Sequence, residues 1–230
     1  MTLVAIDAPK GAYRERAIDP KRTALLSIDM QNAEYSPELV AAARKPGSPT
    51  AHMLHLYETI ENTLIPNQQK LQAAARKAGI EIIYTTIESL TKDGRDRSLD
   101  HKISRLHFPK GSHEAKIIPA VGPVGDEIHI PKTSSGIFNS TNIEYVLRNL
   151  GIEYLVIYGI MTDQCVECAI RDAADRGFLV TQIEDACTAE DPRRHATSLE
   201  AMRGHYCRTR TTGQMIAEIA GWLRRDDGHV

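Results

Sequence analysis

The stretch YLVIYGIMTDQCVECAIRDAADRGF, Tyr154–Phe178, decides the fold. Its first seven residues, Tyr154 to Ile160, form an unbroken apolar run rich in β-branched side chains, the pattern of a strand buried on both faces. Thr162 or Asp163 then supplies a helix cap, and the helix is predicted to run to Arg176 and stop at Gly177. This is one strand–turn–helix unit. Outward from it, the same alternation recurs. Thr23–Asp29 and Ile80–Ile87 read as strands, as do Ile128–Lys132, Phe178–Ile183 and Cys207–Thr211. Glu58–Ala78 is predicted helical, beginning near Pro66 because proline interrupts a helix interior, and Gly79 ends it. Thr141 and Glu144 have capping-box spacing for a helix to Leu150. Asp191-Pro192 is an N-cap followed by proline at the first helical position, and a last helix is expected over Thr212–Arg225. Six strands separated by helices imply an α/β fold: right-handed crossovers and a mainly parallel six-stranded sheet covered on both faces. No repeat or linker interrupts the pattern, so residues 1–230 are expected to form a single domain. Gln31 to Tyr57, rich in proline and glycine, reads as an insertion loop with one short helical piece near Leu39–Arg44.

Composition narrows the function. The chain has 230 residues, with 28 Lys and Arg against 30 Asp and Glu, a formal charge of −2 that provides no net field for nucleic acid or anionic membrane. Four cysteines, all in the last third, are too sparse for a disulfide scaffold and fit a reducing compartment. The N-terminal MTLVAIDAPKGAYRER lacks the charged and apolar regions of a signal peptide, and the longest apolar run is far below the roughly 20 residues of a membrane helix. A cytoplasmic protein with a small-molecule substrate is expected.

In an open parallel sheet, ligands bind beyond the carboxyl ends of the strands. Three reactive side chains fall there: Asp29 closes the first strand, Lys132 the third, and Cys165 lies just past the fourth, in the first turn of a helix. The helix dipole and a nearby lysine both favour thiolate, and a carboxylate can carry protons. Free N–H groups in the same turn could hold an oxyanion. Taken singly, each residue has a bland reading: a buried Cys is usually a small hydrophobe, an Asp at a strand end usually caps a turn, and a Lys there is usually solvated. Their coincidence at one edge suggests Cys-dependent acyl transfer.

The strings LLSIDMQN (Leu25–Asn32), IPKTSSGIFNST (Ile130–Thr141) and YGIMTDQCVECAIRDAADRGF (Tyr158–Phe178) resemble the isochorismatase-like cysteine hydrolases, over about Thr23 to Ile216. The resemblance implies a three-layer α/β/α, Rossmann-like fold. It implies a triad of Cys165 as nucleophile, Asp29 as proton carrier and Lys132 as supporting cation. It further implies a non-proline cis peptide at Ile160–Met161, with an oxyanion hole formed by the N–H groups of Met161 and Cys165, and a homo-oligomer, commonly a dimer or tetramer. The implied activity is hydrolysis of a C–N bond in a small linear amide, carbamoyl or ureido compound, with release of ammonia through a thioester. The alternatives are an isochorismatase-type hydrolase of a small cyclic acid, or a non-catalytic binding subunit.

No cofactor is expected. Nicotinamidases of this family carry an Asp-x-His metal motif after the second strand, whereas the loop here reads Glu88-Ser-Leu-Thr-Lys-Asp-Gly-Arg-Asp-Arg. His101 and His107 have no zinc-ligand spacing, so no metal is expected. Cys165-x-x-Cys168 invites a redox reading, but Val and Glu between the cysteines and the hydrolase-like strings around them argue against it. Four further residues are candidates for substrate binding: Asn32, Glu88, Phe138 and Gln214. Glu88 could equally pair with Arg95 or Arg97, Phe138 could be packing, and Gln214 could cap the last helix.

Overall fold

The structure, a computed structural model, describes residues 13–226. The first twelve residues, which hold most of the segment read for a signal peptide, lie outside the described residues. In chain order the elements are β1 (Thr23–Ile28), α1 (Pro37–Ala43), α2 (Leu54–Thr59), α3 (Ile65–Lys77), β2 (Glu81–Ile87), α4 (Leu99–Ile103), β3 (Ile128–Lys132), α5 (Ile137–Ser140), α6 (Ile143–Asn149), β4 (Tyr154–Ile160), α7 (Glu167–Asp175), β5 (Leu179–Thr188), α8 (Pro192–Met202), β6 (Arg208–Arg210) and α9 (Thr212–Asp226). The strands form one six-stranded sheet in the order β3-β2-β1-β4-β5-β6, parallel throughout. The chain winds one way from β1 to β3 and the other way from β4 to β6. The switch point, where a crevice opens beyond the strand ends, therefore lies between β1 and β4.

Every residue of β1 is buried, and six of the seven in β4, as a sheet covered on both faces requires. Helices α3 and α9 pack together in one layer, while α7 packs on β4 and β5 with α5 and α8 beside it. Each fully buried Leu or Ile of β1 and β4 stabilises the fold by roughly 1.5–3 kcal/mol. Gly159 lets the two central strands approach. It has φ +124, and a Cβ there would lie 2.1 Å from the Ile28 carbonyl oxygen. The β4–β5 register shifts between Ile157 and Gly159, so the irregularity sits one strand away from the residue that precedes Asp29. Among the described residues, no helix is long and apolar enough to cross a membrane.

Three expectations need correction. The helix before β2 begins at Leu54 rather than near Pro66, because a π turn over Ile60–Leu64 joins α2 to α3. The wider turn, in which the Ile65 N–H reaches the Ile60 carbonyl, accommodates a proline ring that an α turn would exclude. The capping box at Thr141 and Glu144 does not form: Asn142 is the N-cap of α6, and Glu144 pairs with Arg176 and Arg148. Strand β5 continues past Ile183 to Thr188, because Glu184 binds Arg203 and Asp185 accepts from the Thr212 N–H and hydroxyl, so neither charge breaks the strand.

The segment read as an insertion loop holds α1, a short 3-10 turn and the start of α2. It has its own apolar cluster, built from Tyr35, Val40, Ala43, Leu56, Tyr57, Ile60 and Leu64. That cluster also contains Met30, Ile160 and Met161 from the ends of β1 and β4. The insertion is thus packed onto the carboxyl edge of the central strands.

Candidate active site

Asp29 follows β1 directly and has φ 53, in the left-handed region that few non-glycine residues adopt. Such backbone outliers concentrate at functional sites. Its N–H donates to the Thr85 carbonyl at 3.0 Å and its carbonyl accepts from Gln31 N–H at 2.8 Å, forming a tight turn. Gln31 fastens this turn to the neighbouring strand. Its side-chain oxygen accepts from Ile87 N–H at 2.8 Å, and its amide nitrogen donates to the carbonyls of Ile87 and Glu114. The Asp29 carboxylate accepts from the Thr85 hydroxyl at 3.2 Å.

Lys132, the last residue of β3, is wholly buried rather than solvated. Its ammonium lies 2.8 Å from Asp29 Oδ2, and it donates to Cys165 Sγ at 3.3 Å and to the Ser134 carbonyl at 3.0 Å. Its three protons are therefore all engaged. Burial alone would lower the Lys132 pKa, but the Asp29 carboxylate and the Cys165 sulfur outweigh it and hold the ammonium charged.

Cys165 sits in a π turn, Thr162–Val166, that joins β4 to α7, not in the first turn of a regular α-helix. The preceding Ile160–Met161 peptide is cis. The thiol is buried, and its pKa is pushed up to about 12, first by burial and next by the Asp29 carboxylate, against the pull of Lys132. The pull of Lys132 toward thiolate is outweighed by burial and by the neighbouring Asp29 carboxylate, so the resting group is a thiol. The three residues read from separate strand ends are thus brought together, with the proton on sulfur and the Asp29 side chain beside it.

Asp29 and Cys165 open onto a cavity of about 110 Å³ whose wall also holds Glu34, Ile87, Leu106, Ile160, Met161, Gln164 and Glu190. Met161 and Cys165 are on its wall, so both oxyanion-hole candidates border it. The other four candidates do not line it. Asn32 donates to the His113 carbonyl at 3.0 Å, tying down the loop after β1. Glu88 accepts from Gly111 N–H at 2.6 Å, a partner different from both alternatives; Arg95 pairs with Asp93, and Arg97 donates to the carbonyls of Gly94 and Leu106. Phe138 is buried with its ring 6.1 Å from that of Phe178 and under the Arg176 guanidinium, a packing role. Gln214 accepts from Thr211 N–H at 3.0 Å while Thr211 Oγ1 accepts from Gln214 N–H at 3.2 Å, a reciprocal capping box that opens α9.

Two carboxylates on the wall escaped the sequence reading. Glu34 is half-buried in the loop after β1, and Glu190 is exposed two residues beyond β5. Burial, then Asp29 and Glu190, raise the Glu34 pKa from 4.5 to about 7. The signal for Glu190 was available, since it too follows a strand end, but only a strand running to Thr188 brings it to this edge. Cys168, Cys187 and Cys207 are free thiols, the first exposed and the other two buried. Cys165 and Cys168 thus differ in environment as well as in partners. Among the described residues, no group of three or more His, Cys, Asp or Glu could hold a metal ion. His101 is buried and its Nε2 lies 3.4 Å from the Ser135 hydroxyl.

Comparison with known proteins supplies a context for this geometry. The isochorismatase domain profile matches residues 23–214. An N-carbamoylsarcosine amidase of an Arthrobacter species is 28% identical over 184 residues, 76% of this chain and 64% of its own length, so the chain spans less than two thirds of that relative. A ureidoacrylate amidohydrolase of Agrobacterium fabrum is 32% identical over 187 residues, covering 74% of this chain and 77% of that protein. The crystal structure of a cysteine hydrolase from Pseudomonas syringae pv. phaseolicola superposes with a TM-score of 0.75 at 23% identity. The alignment covers 90% of this chain and 96% of the other, a likeness of fold.

Proposed function

The chain belongs to the isochorismatase family, and from that premise we propose that it is a cysteine-dependent amidohydrolase acting on a C–N bond of a small linear amide, carbamoyl or ureido compound. The observation that carries this reading is the gathering of Cys165, Asp29 and Lys132, the first two on the wall of a small cavity. The names of the amidase and amidohydrolase relatives support the bond type.

In the proposed cycle Asp29 takes the Cys165 proton as the sulfur attacks the carbonyl carbon, which overcomes the high resting pKa of the thiol. Lys132 stays charged throughout and stabilises whichever neighbour, carboxylate or thiolate, holds the negative charge. The N–H groups of Met161 and Cys165 receive the oxyanion. The tetrahedral intermediate collapses with cleavage of the C–N bond. Asp29 returns its proton to the leaving nitrogen, giving ammonia and a thioester on Cys165. Water, deprotonated by Asp29, then attacks the thioester, and the proton passes back to sulfur, regenerating the thiol and releasing the acid.

Ammonia release from a panel of small ureides, carbamoyl compounds and primary amides, measured for the parent protein and for Cys165→Ala, tests the proposal. Turnover that falls at least about 10³-fold in the variant is expected. Undiminished turnover by Cys165→Ala would overturn the mechanism.

A further inference from the structure

We infer that Glu34 and Glu190 are specificity-determining residues, and that they select substrates bearing a positive charge close to the scissile carbonyl group while rejecting carboxylates. The inference rests on the amidohydrolase reading for the reacting bond and goes beyond it in the charge of the rest of the substrate.

The cavity wall contains three carboxylates, Asp29, Glu34 and Glu190, and no lysine, arginine or histidine. Asp29 is already matched by Lys132. The side chains of Glu34 and Glu190 have neither a hydrogen-bond donor nor a cation in contact with them among the described residues. Lys132, the cation whose charge is felt at Glu34, cannot serve a ligand, because its protons are committed to Asp29, Cys165 and Ser134. A substrate carboxylate entering here would meet like charges at the rim and no donor to replace its water. An ammonium or amidinium would meet two unpaired acceptors, one half-buried and one exposed at the mouth. The raised pKa of Glu34 is the mark of a carboxyl group crowded by burial and by two like charges, a condition that a bound cation relieves.

The remaining wall agrees with a compact ligand. Ile87, Leu106, Ile160 and Met161 supply apolar surface, and Gln164 is the one neutral polar side chain. A cavity of about 110 Å³ holds a molecule of only a few heavy atoms beyond the reacting group. The relatives named for N-carbamoylsarcosine and ureidoacrylate take substrates that carry a carboxylate, so this chain is inferred to differ from them in substrate charge.

Three ureas of nearly equal size separate the possibilities: 2-aminoethylurea (cationic), propylurea (neutral) and N-carbamoylglycine (anionic). Ammonia release gives kcat/KM for each, and protection of Cys165 from alkylation by iodoacetamide gives binding whether or not turnover occurs. The cationic urea is expected to be preferred at least 10-fold over the neutral one, with the anionic one weakest. Glu190→Gln and Glu34→Gln are each expected to shrink that ratio several-fold, with thermal denaturation confirming that both variants fold. Protection by the cationic urea without ammonia release would uphold the charge selection while removing the amidohydrolase reading. Equal or better use of the anionic urea, or a cation preference untouched in both variants, would overturn the inference.

Discussion

The cavity has two acidic sides that differ in one respect. On the inner side, Asp29 faces a fully buried ammonium 2.8 Å away, and the cluster with the Cys165 thiol is electrically balanced. On the outer side, Glu34 and Glu190 have no cation in contact among the described residues, and burial, then Asp29 and Glu190, raise the Glu34 pKa to about 7. The two sides thus differ in whether a fixed cation touches the carboxylate, and burial together with two like charges pushes the Glu34 carboxyl toward neutrality. Burial and neighbouring like charges raise a carboxyl pKa, and a fixed cation in contact opposes both.

Removing the counter-ion is the most severe way to break this contrast. Lys132→Met leaves Asp29 buried without its counter-ion and should cost about 3–5 kcal/mol of stability by denaturant unfolding, together with nearly all turnover. A variant as stable as the parent would show that the inner pair is not what balances the site. Gly159→Ala attacks the frame that holds Asp29 opposite Cys165. With a Cβ at 2.1 Å from the Ile28 carbonyl, β1 and β4 must separate, and a loss of about 2–3 kcal/mol with reduced activity is expected. Unchanged melting would mean that the strands separate at no cost.

The outer side yields a pH signature. The folded protein binds the Glu34 proton more tightly than the unfolded chain does, so stability should fall as pH rises from about 4.5 to about 7. Glu34→Gln should remove on the order of 2 kcal/mol of that slope in denaturant titrations at several pH values. A slope identical in parent and variant would place the titration elsewhere. The smallest effect belongs to a residue outside the cavity. Gln214→Ala deletes half of a capping box and should lower stability by about 0.5–1 kcal/mol with kcat/KM unaltered. A change in substrate preference would return Gln214 to the binding site.

The sheet and the inner cluster were legible because both follow from short-range pattern. Apolar runs mark buried strands, and a parallel sheet sends Asp29, Lys132 and the residues after β4 to one edge whatever the loops do. The ionisation of the site was not legible from Cys165 and its helix alone. It depends on the burial of the sulfur and on the Asp29 charge beside it. The outer carboxylates were hidden by one misread boundary and one fold within a loop. Glu184 and Asp185 look like the end of a strand, yet Arg203 pairs with the first and Thr212 donates two hydrogen bonds to the second from distant segments, so β5 continues and Glu190 reaches the edge. Glu34 points into the cavity because the insertion has its own apolar core, which no local pattern announces. The two capping-box signatures teach the same restraint: Thr211 and Gln214 form theirs, while Glu144 is drawn away by Arg176.

That second core ties two segments far apart in the chain into a single exchangeable part. Ile160 and Met161 are packed among side chains of the insertion, yet they belong to the turn that leads to Cys165. A loop graft that replaced residues 35–64 alone would present foreign side chains to the backbone proposed to hold the oxyanion. To move the selectivity of this cavity onto another scaffold of the family, the donor piece must include both the insertion and the end of β4, with the β5 extension that presents Glu190.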